Sequence, residues 1–233
     1  MNLQILITGA NRGLGLALTE RLLADGHHIH AINRRESLEL LQLQEAYTES
    51  LHCYPGDVSD ENSVRQALTK IAGQVDALDI ILNNAAVHLD QSCLPLEQVD
   101  FSIYLPVFQV NSIGPLMVVK YSLPLLCKGR KKLIVNFSSE AGSIGACRRK
   151  SEYSYCMSKA ALNMASRILQ NALKEEDIKV LALHPGWFSS EMGGKDAPIT
   201  PVEAADEIVK LVLNPPGLDG PIYVDSNGNP LEW

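Results

Sequence analysis

Short apolar runs alternate along the chain with longer stretches whose apolar residues recur at helical spacing. Residues 3–8, 28–33, 51–54, 78–82, 132–138, 178–183 and 221–224 are compact and apolar, the pattern of strands covered on both faces. Between them, Leu16, Ala17, Leu22 and Leu23, then residues 38–47, then Val64, Leu68, Ile71 and Ala72 follow a helical period. Residues 103–126 are apolar nearly all round, as in a helix buried on more than one side. A further apolar helix is expected over 160–173, and Thr200-Pro201-Val202-Glu203 opens the last one with a capping Thr. Strand–helix alternation throughout predicts an α/β protein: a doubly wound parallel sheet of about seven strands flanked by helices, with right-handed crossovers.

Two stretches carry chemistry. The first, Thr8-Gly9-Ala10-Asn11-Arg12-Gly13-Leu14-Gly15, lies between the first strand and the first helix. Small residues there let backbone amides approach a pyrophosphate, and the helix N-terminus adds partial positive charge. This strand, glycine turn and helix mark a Rossmann fold, read as one domain over 1–233. The second is Tyr155-Cys156-Met157-Ser158-Lys159. Residues four apart on a helix share a face, and a nearby cation favours the phenolate over a phenol that otherwise titrates near roughly pH 10. A Tyr–Lys pair is therefore an acid/base device for a carbonyl or alcohol. Alone it is weak, since such pairs also occur on solvated helices.

Together these stretches resemble the short-chain dehydrogenase/reductase family, whose glycine motif Thr-Gly-x-x-x-Gly-x-Gly is matched by Thr8, Gly9, Gly13 and Gly15. Residues 185–194 and the ending from Asp225 to Trp233 resemble the compact branch that holds the C-factor and Sniffer-like carbonyl reductases. The resemblance implies a cofactor site made by Thr8, Gly9, Asn11, Arg12, Gly13, Leu14 and Gly15. Asn33 and Arg34 would flank the adenosine ribose, Asp57 and Val58 the adenine. Asn83 would tie the central strands, Ala85 would pass the ribose, and Pro185, Gly186, Phe188 and Ser190 would meet the nicotinamide. Ala86 stands where the family usually has Gly. Arg12 and Arg34, with no acid at position 33, imply NADP(H) over NAD(H). One of Arg34 and Arg35 is read as a solvated turn residue, and Asp57 has a turn role as its alternative.

The resemblance assigns catalysis to Asn111, Ser139, Tyr155 and Lys159, with Tyr155 and Lys159 also gripping the cofactor. Ser139 would polarise the carbonyl, Tyr155 would give the proton, Lys159 would lower the Tyr pKa, and Asn111 would kink its helix and hold a relay water. A purely structural bond is the alternative for Asn111. Ser139 and Tyr155 stand sixteen residues apart, wider than the family's usual spacing, so Ser138 and Ser143 stay open as alternatives and Arg148-Arg149-Lys150 must loop out near the pocket mouth. That loop is read as solvated. Tyr153 competes with Tyr155 but lacks a Lys four residues on.

Composition narrows the partners. A net charge of -7 with no long basic block argues against nucleic acid. No apolar run is read as membrane-spanning, and the first residues show no signal-peptide pattern. Five scattered cysteines without a Cys-x-x-Cys pair fit reduced thiols in a cytoplasmic protein, and no metal site is read. The reading is an NADPH-dependent oxidoreductase acting on a small carbonyl or alcohol substrate. Residues 103–126 and 157–173 carry more apolar surface than the sheet can cover, so a homodimer is expected. The rival is an NADP(H)-binding regulatory or signalling protein that uses the fold as a sensor.

Overall fold

A computed structural model describes residues 2–89, 94–190, 192, 194 and 196–233. Seven parallel strands form one sheet in the order β3-β2-β1-β4-β5-β6-β7. They are β1 (Gln4–Thr8), β2 (His28–Asn33), β3 (Leu51–Pro55), β4 (Ile80–Asn83), β5 (Leu133–Phe137), β6 (Lys179–Leu183) and β7 (Tyr223–Val224). The helices are α1 (Gly13–Ala24), α2 (Leu38–Ala46), α3 (Glu61–Ala72), α4 (Tyr104–Phe108), α5 (Gly114–Leu126), α6 (Tyr153–Leu173) and α7 (Pro201–Leu213).

The alternation of side chains along each strand divides the core in two. Ile5 and Ile7 of β1 and Leu133 and Val135 of β5 face α1 and α7. Leu6 and Ile134, one residue out of phase, join the layer under α3 and α5. Every residue of β5 and β6 is buried, so their apolar runs show no alternation in the sequence. Each fully buried Leu or Ile contributes about 1.5–3 kcal/mol, which makes the strand ends rigid platforms for whatever they carry.

Helix ends follow from local chemistry. Asp60 accepts from Asn62 N and Ser63 N at the start of α3. Thr200 and Glu203 form a reciprocal capping box on α7, with Pro201 in the first turn. Between α4 and α5 the helix widens into a π-helical turn, Gln109–Ile113, with Asn111 buried inside it. The sequence expectation for this region needs correction. Helical structure runs without a break over Phe101–Leu126, 26 residues, long and apolar enough by length and composition to cross a membrane. Gln109, Asn111 and Lys120 interrupt the apolar run in the sequence but not the helix. Here the stretch packs against α3, α6 and the central strands.

Candidate active site

The order of β1 and β4 places the reversal of strand order between them, and the C-terminal strand ends open onto a cleft of about 1110 Å³. Gly9, Asn11, Arg12, Gly13, Leu14 and Gly15 line one end. Gly13 has φ +53 with open space where a Cβ would stand, and Gly9 has φ +70. A Cβ on Gly15 would lie 2.0 Å from the Gly9 carbonyl oxygen. The turn thus brings bare backbone against the cleft at the α1 N-terminus, a cradle that fits a dinucleotide pyrophosphate.

Several expected cofactor residues lie one layer behind this surface. The Thr8 hydroxyl accepts from Ala85 N at 3.1 Å. The Asn33 amide oxygen accepts from Ala10 N at 2.6 Å, so Asn33 shapes the glycine turn and does not line the cleft. Asn83 donates to Asn136 at 2.8 Å and ties β4 to β5. Asn84, which the sequence reading passes over, donates to the carbonyls of Thr8 at 3.1 Å and Gly9 at 2.9 Å. Arg34, Arg35, Asp57 and Val58, the residues expected about the adenosine, line the cleft together with Glu36. Both arginines are exposed in a bend at the rim of the cleft, as a solvated turn residue would be. Arg34 lies 3.9 Å from Asp57, whose other oxygen accepts from Ser59 N at 2.9 Å. Ala85, Pro185, Gly186, Phe188 and Ser190 line the opposite wall. In the sequence, residues 193–196 suit a flexible lid and residues 87–100 a loop over the site; Gly193, Lys195 and residues 90–93 lie outside the described residues.

Ser139, Tyr155 and Lys159 meet at the end of β5. The helix α6 begins at Tyr153, earlier than its apolar run, so Tyr155 and Lys159 project from its first turns. Tyr155 and Ser139 share a side-chain hydrogen bond, and burial pushes the Tyr155 phenol up to about 12. Lys159 is buried, donates to the Phe137 carbonyl at 2.7 Å, and is pushed down to about 7 by desolvation. Its Nζ lies 5.6 Å from the centre of the Tyr155 ring. The sequence argument has Lys159 lowering the Tyr pKa. Burial prevails at both residues, and Arg149 is a second nearby cation that favours the phenolate.

Ser138 spends its hydroxyl on Asn163, at 2.5 Å, and Ser143 accepts from Ala146 N at 3.0 Å away from the cleft. Asn111 lies behind the cleft wall. Its amide accepts from Val87 N and donates to Val87 O, both at 2.8 Å, and donates to Ser158 at 3.0 Å. These are the backbone bonds of its structural alternative.

The sequence reading misses the charged and aromatic side chains around Tyr155. His88 lies against its ring, with centroids 4.4 Å apart and the planes tilted by 33°. Glu140, Arg149, Glu152, His184 and Trp187 also line the cleft. Arg149 pairs with both Glu140 and Glu152, so the basic loop is not uniformly solvated. Adjacency to Ser139 and Tyr155 was the available signal for Glu140 and Glu152.

The chain belongs to the short-chain dehydrogenase family, whose pattern it matches over residues 4–198. It is an oxidoreductase of the type that acts on CH–OH and C=O groups with a nicotinamide cofactor. It is 33% identical over 158 residues to the C-signal protein of Myxococcus xanthus, covering 67% of this chain and 93% of that one. Its fold superposes on the carbonyl reductase Sniffer of D. melanogaster with a TM-score of 0.92 and 31% identity over the whole of both chains. An NADPH-bound carbonyl reductase from chicken fatty liver gives a TM-score of 0.90 and 27% identity, again over both whole chains.

Proposed function

We propose that this protein is an NADPH-dependent carbonyl reductase. The observation that carries the reading is the meeting of Ser139, Tyr155 and Lys159 in one cleft with the glycine cradle. The cofactor, when bound, supplies the hydride. The chain supplies orientation and the proton. Gly9, Gly13 and Gly15 with the α1 N-terminus hold the pyrophosphate. Arg12 and Arg34 receive the 2′-phosphate, and Lys159 holds the nicotinamide ribose. Ser139 donates a hydrogen bond to the substrate carbonyl oxygen. Tyr155, still protonated at neutral pH, gives that oxygen its proton.

Support for NADPH comes from the guanidinium groups at the adenosine rim and from the NADPH carried by the chicken carbonyl reductase of the same fold. Charge-assisted bonds to phosphate contribute roughly 1.5–3 kcal/mol each. Arg34→Ala is therefore expected to weaken NADPH about tenfold or more and to leave NADH nearly unchanged, as read by fluorescence titration. Equal weakening of both would contradict the 2′-phosphate role.

Exposed Met157, Met164 and Ile168 on one face of α6, near exposed Leu105 on α4, support a homodimer. Reduced thiols and an acidic chain fit the cytoplasm as its place of action. A screen of aldehydes, ketones and quinones with NADPH tests the function, and turnover of at least one class is expected. The C-signal similarity favours a second reading, a signalling protein that binds NADP(H) and reduces nothing. Tight NADPH binding without turnover across the screen would favour it.

A further inference from the structure

We propose that Arg149 is a positioning residue that clamps the segment carrying Ser139 to the helix start carrying Tyr155. The inference rests on the reductase reading above and adds a role to the long stretch between those two residues. Glu140 directly follows Ser139, and Glu152 is the N-cap residue immediately before α6. Arg149 sends Nη2 to Glu140 and Nη1 to Glu152, so one guanidinium fork spans both. The second oxygen of Glu152 lies 3.3 Å from His88 Nε2, and His88 covers the Tyr155 ring. The chain Glu140–Arg149–Glu152–His88 therefore joins the ends of β5, α6 and β4 around the phenol.

Two further observations point the same way. Glu152 has φ 62 and ψ 40, a left-handed conformation that non-glycine residues adopt at a cost. Its carboxylate does not cap α6 but turns to Arg149 and His88, and its side chain is only 20% exposed. The Arg149 side chain is 32% exposed although it lies in a polar loop. Exposed ion pairs add little to stability. A planar fork held by two carboxylates instead fixes direction, which a single ammonium does not. Misplacing a reacting group by about 1 Å can cost about a hundredfold in rate.

The groups facing Tyr155 give the clamp a signature. Ser139 and Glu140 approach from the end of β5, Arg149 from the inserted loop, His88 from the end of β4, and Cys156 and Lys159 from α6. Arg149 favours the phenolate and Glu140 opposes it. Charge alone thus predicts opposite effects for removing the two, whereas the clamp fails when either is lost.

The experiment compares Arg149→Met and Glu140→Ala with the full-length wild type. Carbonyl reduction is measured at saturating NADPH, and the Tyr155 phenolate is titrated by ultraviolet absorbance with Tyr155→Phe as the blank. Both variants should lose about tenfold or more in kcat, with NADPH affinity within about twofold of wild type. Their Tyr155 midpoints should move in opposite directions, up for Arg149→Met and down for Glu140→Ala. Wild-type kcat in either variant overturns the clamp, while loss of activity in Tyr155→Phe would still uphold the reductase reading. An equal loss of kcat and NADPH affinity also overturns it, since it marks general disruption. If the wild type reduces no carbonyl, the reductase reading fails, and the clamp, which rests on it, falls with it.

Discussion

At the scale of residues, the site is governed by burial more than by the pair interaction that first drew attention to it. Lys159 is a cation placed under a sheet end with one carbonyl for company. Its folded pKa of about 7 lies below the ordinary 10.5. Below pH 7 the ammonium is charged in both states, and folding bears the full desolvation penalty. Between about 7 and 10.5 the unfolded chain binds more protons, so stability rises with pH. Lys159→Met removes this term. It should be more stable than wild type at pH 7, and the gap should shrink by pH 10 in denaturant titrations. A gap that stays constant with pH would show that Lys159 is not held in this way. The motif residues themselves were legible because glycine, Tyr and Lys carry their chemistry in type and spacing. His88 and Arg149 were not, because contacts between loops leave no period to read, and Glu140 and Glu152 had only their nearness in sequence to Ser139 and Tyr155 to mark them.

At the scale of elements, the glycine turn leaves no room for a side chain at Gly15. A Cβ at Gly15 would lie 2.0 Å from the Gly9 oxygen and 2.5 Å from Asn84 Nδ2, so the turn or the helix must shift. Gly15→Ala should therefore weaken NADPH binding more than tenfold and lower the thermal midpoint. Gly217→Ala is the control, since a Cβ there meets nothing within 4 Å, and both properties should stay at wild-type values. Isothermal titration and thermal melts check both. Strand positions were well marked in the sequence, because apolar runs this short and this pure fit only strands covered on both sides. Residues 78–82 were placed early, as β4 begins at Ile80. Leu78 and Asp79 are buried beside the sheet instead, where Asp79 accepts from Gln4 N at 2.9 Å and Arg130 N at 2.8 Å. The π-helical turn at Asn111 was expected only as a kink, since widening by one residue has no compositional mark.

At the scale of the whole molecule, the same helices that support the site leave apolar surface uncovered. Met164 is 62% exposed and Ile168 57% exposed, one turn apart on α6. If this face pairs two copies, wild type should scatter light as a dimer at micromolar concentration, and Met164→Glu should shift it toward monomer. A wild-type monomer would contradict the pairing. A parallel sheet of about seven strands was legible from the strand–helix alternation, whereas the order of the strands was not read from the sequence. Cleft composition was not legible, because it gathers segments from six strand ends whose sequence separations carry no signal.

The central claim is that Tyr155 gives the proton to a carbonyl oxygen. Tyr155→Phe keeps the ring against His88 and removes only the hydroxyl that bonds Ser139. The decisive measurement is kcat for carbonyl reduction by NADPH in Tyr155→Phe and wild type, beside the NADPH dissociation constant of each. The account predicts a fall in kcat of about 10²–10⁴-fold with cofactor affinity nearly unchanged. Full turnover in Tyr155→Phe would contradict it.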